Sequence, residues 1–339
     1  MADTKLKLGI IGAGRIGRLH ARHLAHRIEG AELAAVTDVV ESAAEQCAAE
    51  CGIPAWGADY RLIMDDPEIQ AVVICSSTDT HSLMIEKAAA AGKHIFCEKP
   101  IDLDLARIDK VLAAVRKAGV KLQVGFNRRF DPNFRRVYQL VREGSIGRPE
   151  ILRITSRDPE PPPIDYVKVS GGIFLDMTIH DFDLARYLIG SEVEEVYTQA
   201  AVMVDPEIGR AGDVDTAVIS LRFTNGVLGT IDNSRRAVFG YDQRVEVFGS
   251  GGMAVAENNT PNRVRLSTAE AVREDLPLHF FMERYVDAYL AEMEAFLDCI
   301  LHDKPVPVSG EDARFPVVIG KAARLSYEQN RPVKLSEIG

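Results

Sequence analysis

Leu6 to Ile11 is a short apolar run, and Gly12-Ala13-Gly14-Arg15-Ile16-Gly17 follows it without a gap. No other feature of the chain restricts its fold so tightly. A GxGxxG turn alone is weak, but here a helical pattern, Arg18–Ile28, comes next. A second apolar run, Leu33–Val36, then ends in Thr37-Asp38. Strand, glycine turn, helix and strand ending in an acid form the unit that binds a dinucleotide.

The spacing has a chemical reading. Gly12 permits the tight turn, Gly14 lets a pyrophosphate approach the backbone, and Gly17 lets the helix pack on the sheet. The first amides of that helix then face the phosphates, so the loop Gly12, Ala13, Gly14, Arg15 and Ile16 is the expected cradle. Asp38 is placed to hydrogen-bond the adenosine ribose hydroxyls and to repel a 2′-phosphate. Its successor is Val39 and not an arginine, which predicts NAD over NADP.

The alternation continues with helices at Ser42–Cys51, Asp59–Met64, His81–Ala91 and Leu105–Ala118, and strands at Ala71–Cys75, His94–Cys97 and Leu122–Val124. This predicts a doubly wound parallel sheet, with ligands beyond the carboxyl ends of its strands. The loops there hold Ser76, Ser77, Thr78 and His81, suited to line a cofactor, and then Glu98-Lys99-Pro100. A lysine between an acid and a proline, at the end of a buried strand, is poorly explained as a solubilising charge. His20, His23 and His26 recur every third residue, but no carboxylate or cysteine completes a metal set. Packing against the sheet is the expectation, and no metal is expected.

Beyond Phe126 the period changes. Seven strands are expected between Glu150 and Ser267, most of them preceded by the helices at Pro132–Glu143 and Phe174–Ile189. That is an α+β unit on one large, mainly antiparallel open sheet, giving an α/β protein with domains 1–126 and 127–339. Helices are available to cover only one face of that sheet, so a homo-oligomer through the other face is expected. A long amphipathic pattern from Phe281 to Ile300 and a helix at Ala313–Gln329 follow. On the helix predicted over Phe174–Ile189, Asp176, His180, Asp183 and Tyr187 share a narrow stripe. Two carboxylates then bracket one imidazole, the side chain suited to take a proton near neutral pH. Asp181 falls on the apolar side, where a carboxylate is costly unless paired; Arg186 or a cluster of backbone amides is the expected partner.

The chain of 339 residues is long enough for two domains. Its net charge of −10 argues against nucleic acid or an anionic membrane as partner. No apolar run reaches the length of a membrane span, and five scattered cysteines suit a reducing, cytoplasmic setting.

GxGxxG with Asp38, Glu98-Lys99-Pro100 and Asp176-x-x-x-His180 together resemble the family of glucose–fructose oxidoreductase, inositol dehydrogenase and rhizopine-catabolism proteins (Gfo/Idh/MocA). The resemblance spans essentially the whole chain. Gly125–Asp131 and Tyr241–Gly249 look like its inositol 2-dehydrogenase branch. It implies NAD-dependent oxidation of a cyclitol hydroxyl, myo-inositol to 2-keto-myo-inositol, in inositol catabolism. Lys99, Asp176 and His180 would then be catalytic, with His180 as base and the Lys99–Pro100 bond cis. Lys99 would contact both the nicotinamide ribose and the substrate hydroxyl, with Glu98 beside it in the cofactor site. Arg128, Asp183 and Tyr241 would line the substrate pocket, and dimers or tetramers would form through the second sheet. Ser156-Arg157-Asp158-Pro159 departs from the inositol enzymes; it leaves Asp158 as a substrate contact and the ring stereochemistry open. Scyllo-inositol, another inositol derivative or an aldose are alternative substrates. An NAD-using glycosidase and a non-catalytic sugar or dinucleotide sensor are the alternatives of other classes.

Overall fold

The computed structural model describes residues 5–338, which form two compact units. The first takes the residues up to Asn127 and then Asp287–Phe315; the second takes Arg128–Val286 and Pro316 onward. The expected single boundary after 126 marks the first crossing only. The reason for the return is apolar: Met293, Phe296 and Leu297 are buried in the same core as Leu8, Ile10 and Phe96.

In the first unit β1 (Leu6–Ile11), β2 (Ala31–Thr37), β3 (Ala55–Gly57), β4 (Ala71–Ile74), β5 (His94–Glu98) and β6 (Leu122–Gly125) form one parallel sheet in the order β3-β2-β1-β4-β5-β6. Its strands are continuous apolar runs because both faces are covered by helices, as in β4, where all of Ala71–Ile74 is buried. Strand order reverses between β1 and β4, which puts the loops after those two strands at the switch point. The three-residue β3 gave no legible alternation and was not expected.

The second unit carries β7 (Pro149–Arg157), β8 (Val193–Ala201), β9 (Thr216–Phe223), β10 (Leu228–Ser234), β11 (Asp242–Gly249) and β12 (Gly252–Ala256). A separate hairpin joins β13 (Arg265–Ser267) to β14 (Val272–Glu274), and β15 (Val333–Lys334) closes the large sheet beside β8. That seven-stranded sheet runs β12-β11-β7-β10-β9-β8-β15 and is antiparallel except between β7 and β10. Strict alternation rules its strands: in β9, Ala217, Ile219, Leu221 and Phe223 are buried while Val218, Ser220 and Arg222 are exposed.

The helix expected over Phe174–Ile189 is two helices, Gly172–Asp176 and Ile179–Ile189. Buried Thr178 causes the break. Its amide reaches back five residues to the Ile173 carbonyl (2.9 Å), and its hydroxyl lies 2.6 Å from Asn233 Oδ1 on β10. A side chain that draws the backbone into other bonds is a known reason for helices to break. The pattern from Phe281 likewise divides, into Phe281–Arg284 and Val286–Leu301.

Candidate active site

In the first unit the glycine turn has the shape its spacing implies. Gly12 takes φ 100°, and a Cβ there would lie 2.5 Å from the Cys75 carbonyl of the loop after β4. At Gly17 a Cβ would fall 1.9 Å from the Gly12 carbonyl oxygen, so only glycine lets the helix start this close to the sheet. Gly14 faces nothing within 4 Å. It begins helix Arg15–His26, whose first turn has neither an acidic residue nor a side-chain cap. Open space over uncapped amides fits a pyrophosphate. Asp38 directly follows β2 and accepts from the Ala13 amide (2.7 Å) and the Val40 amide (2.8 Å), which ties the turn to the neighbouring strand. Val39, next to it, is 91 % exposed and is itself no cation for a 2′-phosphate.

The loops after β4 and β5 are joined by His81. Its ring is buried, with Nδ1 2.7 Å from the Pro100 carbonyl and Nε2 3.0 Å from the Ser76 carbonyl. It therefore fixes the two loops to each other. Ser76 Oγ pairs with Thr80 at 2.6 Å; Ser77 and Thr78 open the following helix region. Glu98 ends β5, half-buried Lys99 follows, and Lys99–Pro100 is cis as the resemblance implies.

In the second unit Asp176 and His180 sit on either side of the helix break, both half-buried. Asp176 accepts from Tyr166 Oη (2.8 Å) and from Arg235 Nη2 (3.0 Å). The other arm of the same guanidinium reaches Asp158 at 3.2 Å. Asp158 is thereby brought to Asp176 through a residue the sequence reading missed. Burial pushes the Asp158 carboxyl up from its ordinary range, and the Arg235 charge pulls it back down. Burial and then the Asp176 charge push the Tyr166 hydroxyl up. The missed signal was alternation: Ile231, Asn233 and Arg235 succeed one another on the buried side of β10 and its extension.

Arg128 and Asp183 take less open positions than a pocket lining suggests. Arg128 is buried and donates to Asp181 and to Ser156 Oγ (3.1 Å). Asp181, fully buried, also accepts from Asn233 (2.9 Å); Arg128 and Asn233, not Arg186, are its partners. Arg186 is instead engaged by Glu192 at 2.6 and 2.7 Å. Asp183 is buried and accepts from Arg129 Nη2 at 2.6 Å and Nε at 2.8 Å. Tyr187 stacks on Tyr138 with ring centroids 4.0 Å apart, so the expected four-residue stripe is divided among different partners. Tyr241 is buried edge-on to Tyr285, 5.9 Å between centroids, and burial pushes its hydroxyl well up.

Comparison with known proteins agrees with the fold of both units. Residues 6–126 match the oxidoreductase family's NAD-binding Rossmann fold, and residues 134–255 match the GFO/IDH/MocA C-terminal domain. The chain is 51% identical to the myo-inositol 2-dehydrogenase of Thermotoga maritima over 333 residues, 98% of this chain and 99% of the relative. A crystal structure of a probable dehydrogenase from Thermotoga maritima superposes with a TM-score of 0.97 at 51% identity, covering 98% of this chain and 100% of that one. The scyllo-inositol dehydrogenase of Lactobacillus casei, solved with NAD(H) and scyllo-inositol, superposes at 0.92 with 32% identity, over 98% and 99% of the two chains. The chain belongs to the GFO/IDH/MocA oxidoreductase family and is an NAD-dependent dehydrogenase acting on a CH–OH group.

Proposed function

We propose that this dehydrogenase oxidises a cyclitol, with myo-inositol converted to 2-keto-myo-inositol. The observation that carries the reading is charge balance in the second unit. Buried Arg128 and Arg235 and half-buried Arg129 are each engaged by carboxylates: Asp181 for Arg128, Asp183 for Arg129, and the pair Asp158 and Asp176 for Arg235. Among the described residues of the second unit that leaves a dense set of donors and acceptors, and its other buried guanidinium, Arg284, is paired with Asp131, so no buried arginine there is in surplus to grip a phosphate or carboxylate. A neutral polyol is recognised by such a set, because each hydroxyl both donates and accepts. The names carried by the relatives point the same way.

NAD, when bound, supplies the hydride acceptor. Gly12, Ala13, Gly14, Arg15 and Ile16 cradle its pyrophosphate, and Asp38 holds its adenosine ribose, with Val39 at the rim. Ser76, Ser77, Thr78 and His81 shape the loop over the cofactor, and Glu98 supports Lys99. His180 removes the proton of the reacting hydroxyl. Lys99 stabilises the alkoxide that develops as the proton leaves. Asp176 accepts from a substrate hydroxyl and is itself oriented by Tyr166 and Arg235. Asp158 and Tyr241 complete the polyol contacts, while Arg128 and Asp183 act from their ion pairs to hold the wall.

The acting species is a homo-oligomer, a dimer or tetramer, built through the outer face of the large sheet. There Met253, Phe248, Ile151 and Leu228 are in-register neighbours across β12, β11, β7 and β10, and 38–54% exposed. An apolar row of that kind marks an interface. All five cysteines are free, which suits the cytoplasm, where such a catabolic enzyme would work. No helix is long and apolar enough to cross a membrane. The deciding experiment is NADH formation across a panel of inositol isomers and aldoses, with NAD and NADP compared. Myo-inositol with NAD is expected to give the highest kcat/KM; preference for an aldose or for NADP removes the proposal.

A further inference from the structure

The helix histidines, expected only to pack, include one that does more. His20 is fully buried, edge-on to Phe96 and Tyr289. Its Nε2 lies 2.8 Å from Glu98 Oε1 and 4.0 Å from Glu292 Oε1, all within the first unit. The carboxylates the sequence lacked nearby thus arrive from β5 and from helix Val286–Leu301, with ligand atoms of all three side chains within 4.8 Å of one another. Glu292 is fully buried, and neither of its side-chain oxygens has a hydrogen-bond partner. Among the described residues no lysine or arginine pairs with Glu98 or Glu292. A fully buried carboxylate side by side with a half-buried one requires a positive particle, and the choice is a metal ion or a proton.

His20 decides between them. A metal-ligating histidine normally donates its second ring N–H to an acceptor, and buried His20 Nδ1 has none. The ring proton therefore sits on Nε2 and is donated to Glu98, which leaves no lone pair there for a metal. Glu98 is then the charged acceptor, and the missing proton belongs to Glu292. Burial, and next the Glu98 charge, hold the Glu292 carboxyl well above the ordinary carboxylate range. Space around Glu98 is reserved as well: a Cβ on Gly125 of β6 would stand 3.0 Å from Glu98 Oε2. Other titratable neighbours are Tyr289 and His23 beside His20, and the thiols of half-buried Cys75 after β4 and buried Cys97 on β5, both pushed up by desolvation and then by Glu98.

We infer that Glu292 is a neutral carboxylic acid and a positioning residue, which with His20 and Gly125 clamps Glu98 as the single negative charge at the end of β5. Through Glu98 it sets the strand end that presents Lys99-Pro100 to the dinucleotide; this last step rests on the role proposed above for Lys99. A second negative charge at Glu292 would repel Glu98 and turn that strand end away.

The test uses the full-length protein. Infrared spectroscopy at neutral pH should show the carbonyl band of a buried neutral carboxylic acid, sensitive to D₂O and absent in Glu292→Gln. NAD titrated calorimetrically should bind Glu292→Gln within about twofold of wild type, since an amide keeps both shape and neutrality. Glu292→Ala, which removes the wall behind Glu98, should bind about tenfold more weakly, equal to about 1.4 kcal/mol. Absence of that band from the wild-type protein overturns the inference. So does an equal loss in the two variants, or one equivalent of bound metal by elemental analysis. None of these readouts uses a cyclitol, so failure of the substrate panel leaves them standing.

Discussion

Histidine is the side chain best suited to accept a proton near neutral pH, and His180 is the residue to which that task is assigned. Replacing it with alanine should lower kcat by about 10²–10⁴-fold, the usual contribution of a general base, while NAD affinity by calorimetry stays near wild type. Wild-type turnover would remove the role. His23 gives a prediction about stability instead of rate. Its ring is 5% exposed, and burial above all lowers its pKa from 6.5 to about 4. As pH falls below 6.5 the unfolded chain takes up a proton that the folded chain refuses until about 4. Stability is therefore full above 6.5 and declines between 6.5 and 4, by at most about 3 kcal/mol. The thermal midpoint of a His23→Gln variant should show a shallower decline across that window; an unchanged slope would clear His23 of responsibility.

Asp131 shows what one residue does for an element. It caps helix Pro132–Arg142, accepting from the Asn133 amide (3.1 Å) and the Phe134 amide (3.0 Å), and is buried against Arg284. Alanine there removes a cap and strands a buried guanidinium, so a loss of about 3–5 kcal/mol is expected by denaturant unfolding. Asparagine should recover the cap portion, about 1 kcal/mol. Helices and strands of this size were largely legible because their periods were undisturbed: β9 alternates without a fault, and the glycine turn behaves as its spacing dictates. The break at Met177-Thr178 was not legible. Nothing local in Met177-Thr178-Ile179 stops a helix; the cause is Asn233, 55 residues away on another strand. The candidate site divides in the same way. Asp176, His180, Lys99 and Asp38 stand in motifs and could be named from spacing, whereas Arg235 and Glu292 matter only for what the fold brings to them. The apolar position of Asp181 calls for a partner, but Arg128 stands 53 residues away in sequence and no local spacing links the two.

For the molecule as a whole, the exposed row Met253–Phe248–Ile151–Leu228 predicts the state in solution. Analytical ultracentrifugation should find a dimer or tetramer for the wild type and monomers when Phe248 and Ile151 are both changed to Asp. Neither side chain belongs to the buried core, so the thermal midpoint of the variant monomer should move chiefly by the lost association. A wild-type monomer would contradict the reading. The composition of the first core carries a consequence of another kind. Met293, Phe296 and Leu297 belong to it, yet they leave the ribosome after Arg128–Val286, the greater part of the second unit, has been made. The nascent dinucleotide fold must wait for them with Leu8, Ile10 and Phe96 incompletely covered, a window in which chaperones would be needed. A fragment ending at residue 126 would carry that exposure permanently, and aggregation is its expected fate on expression.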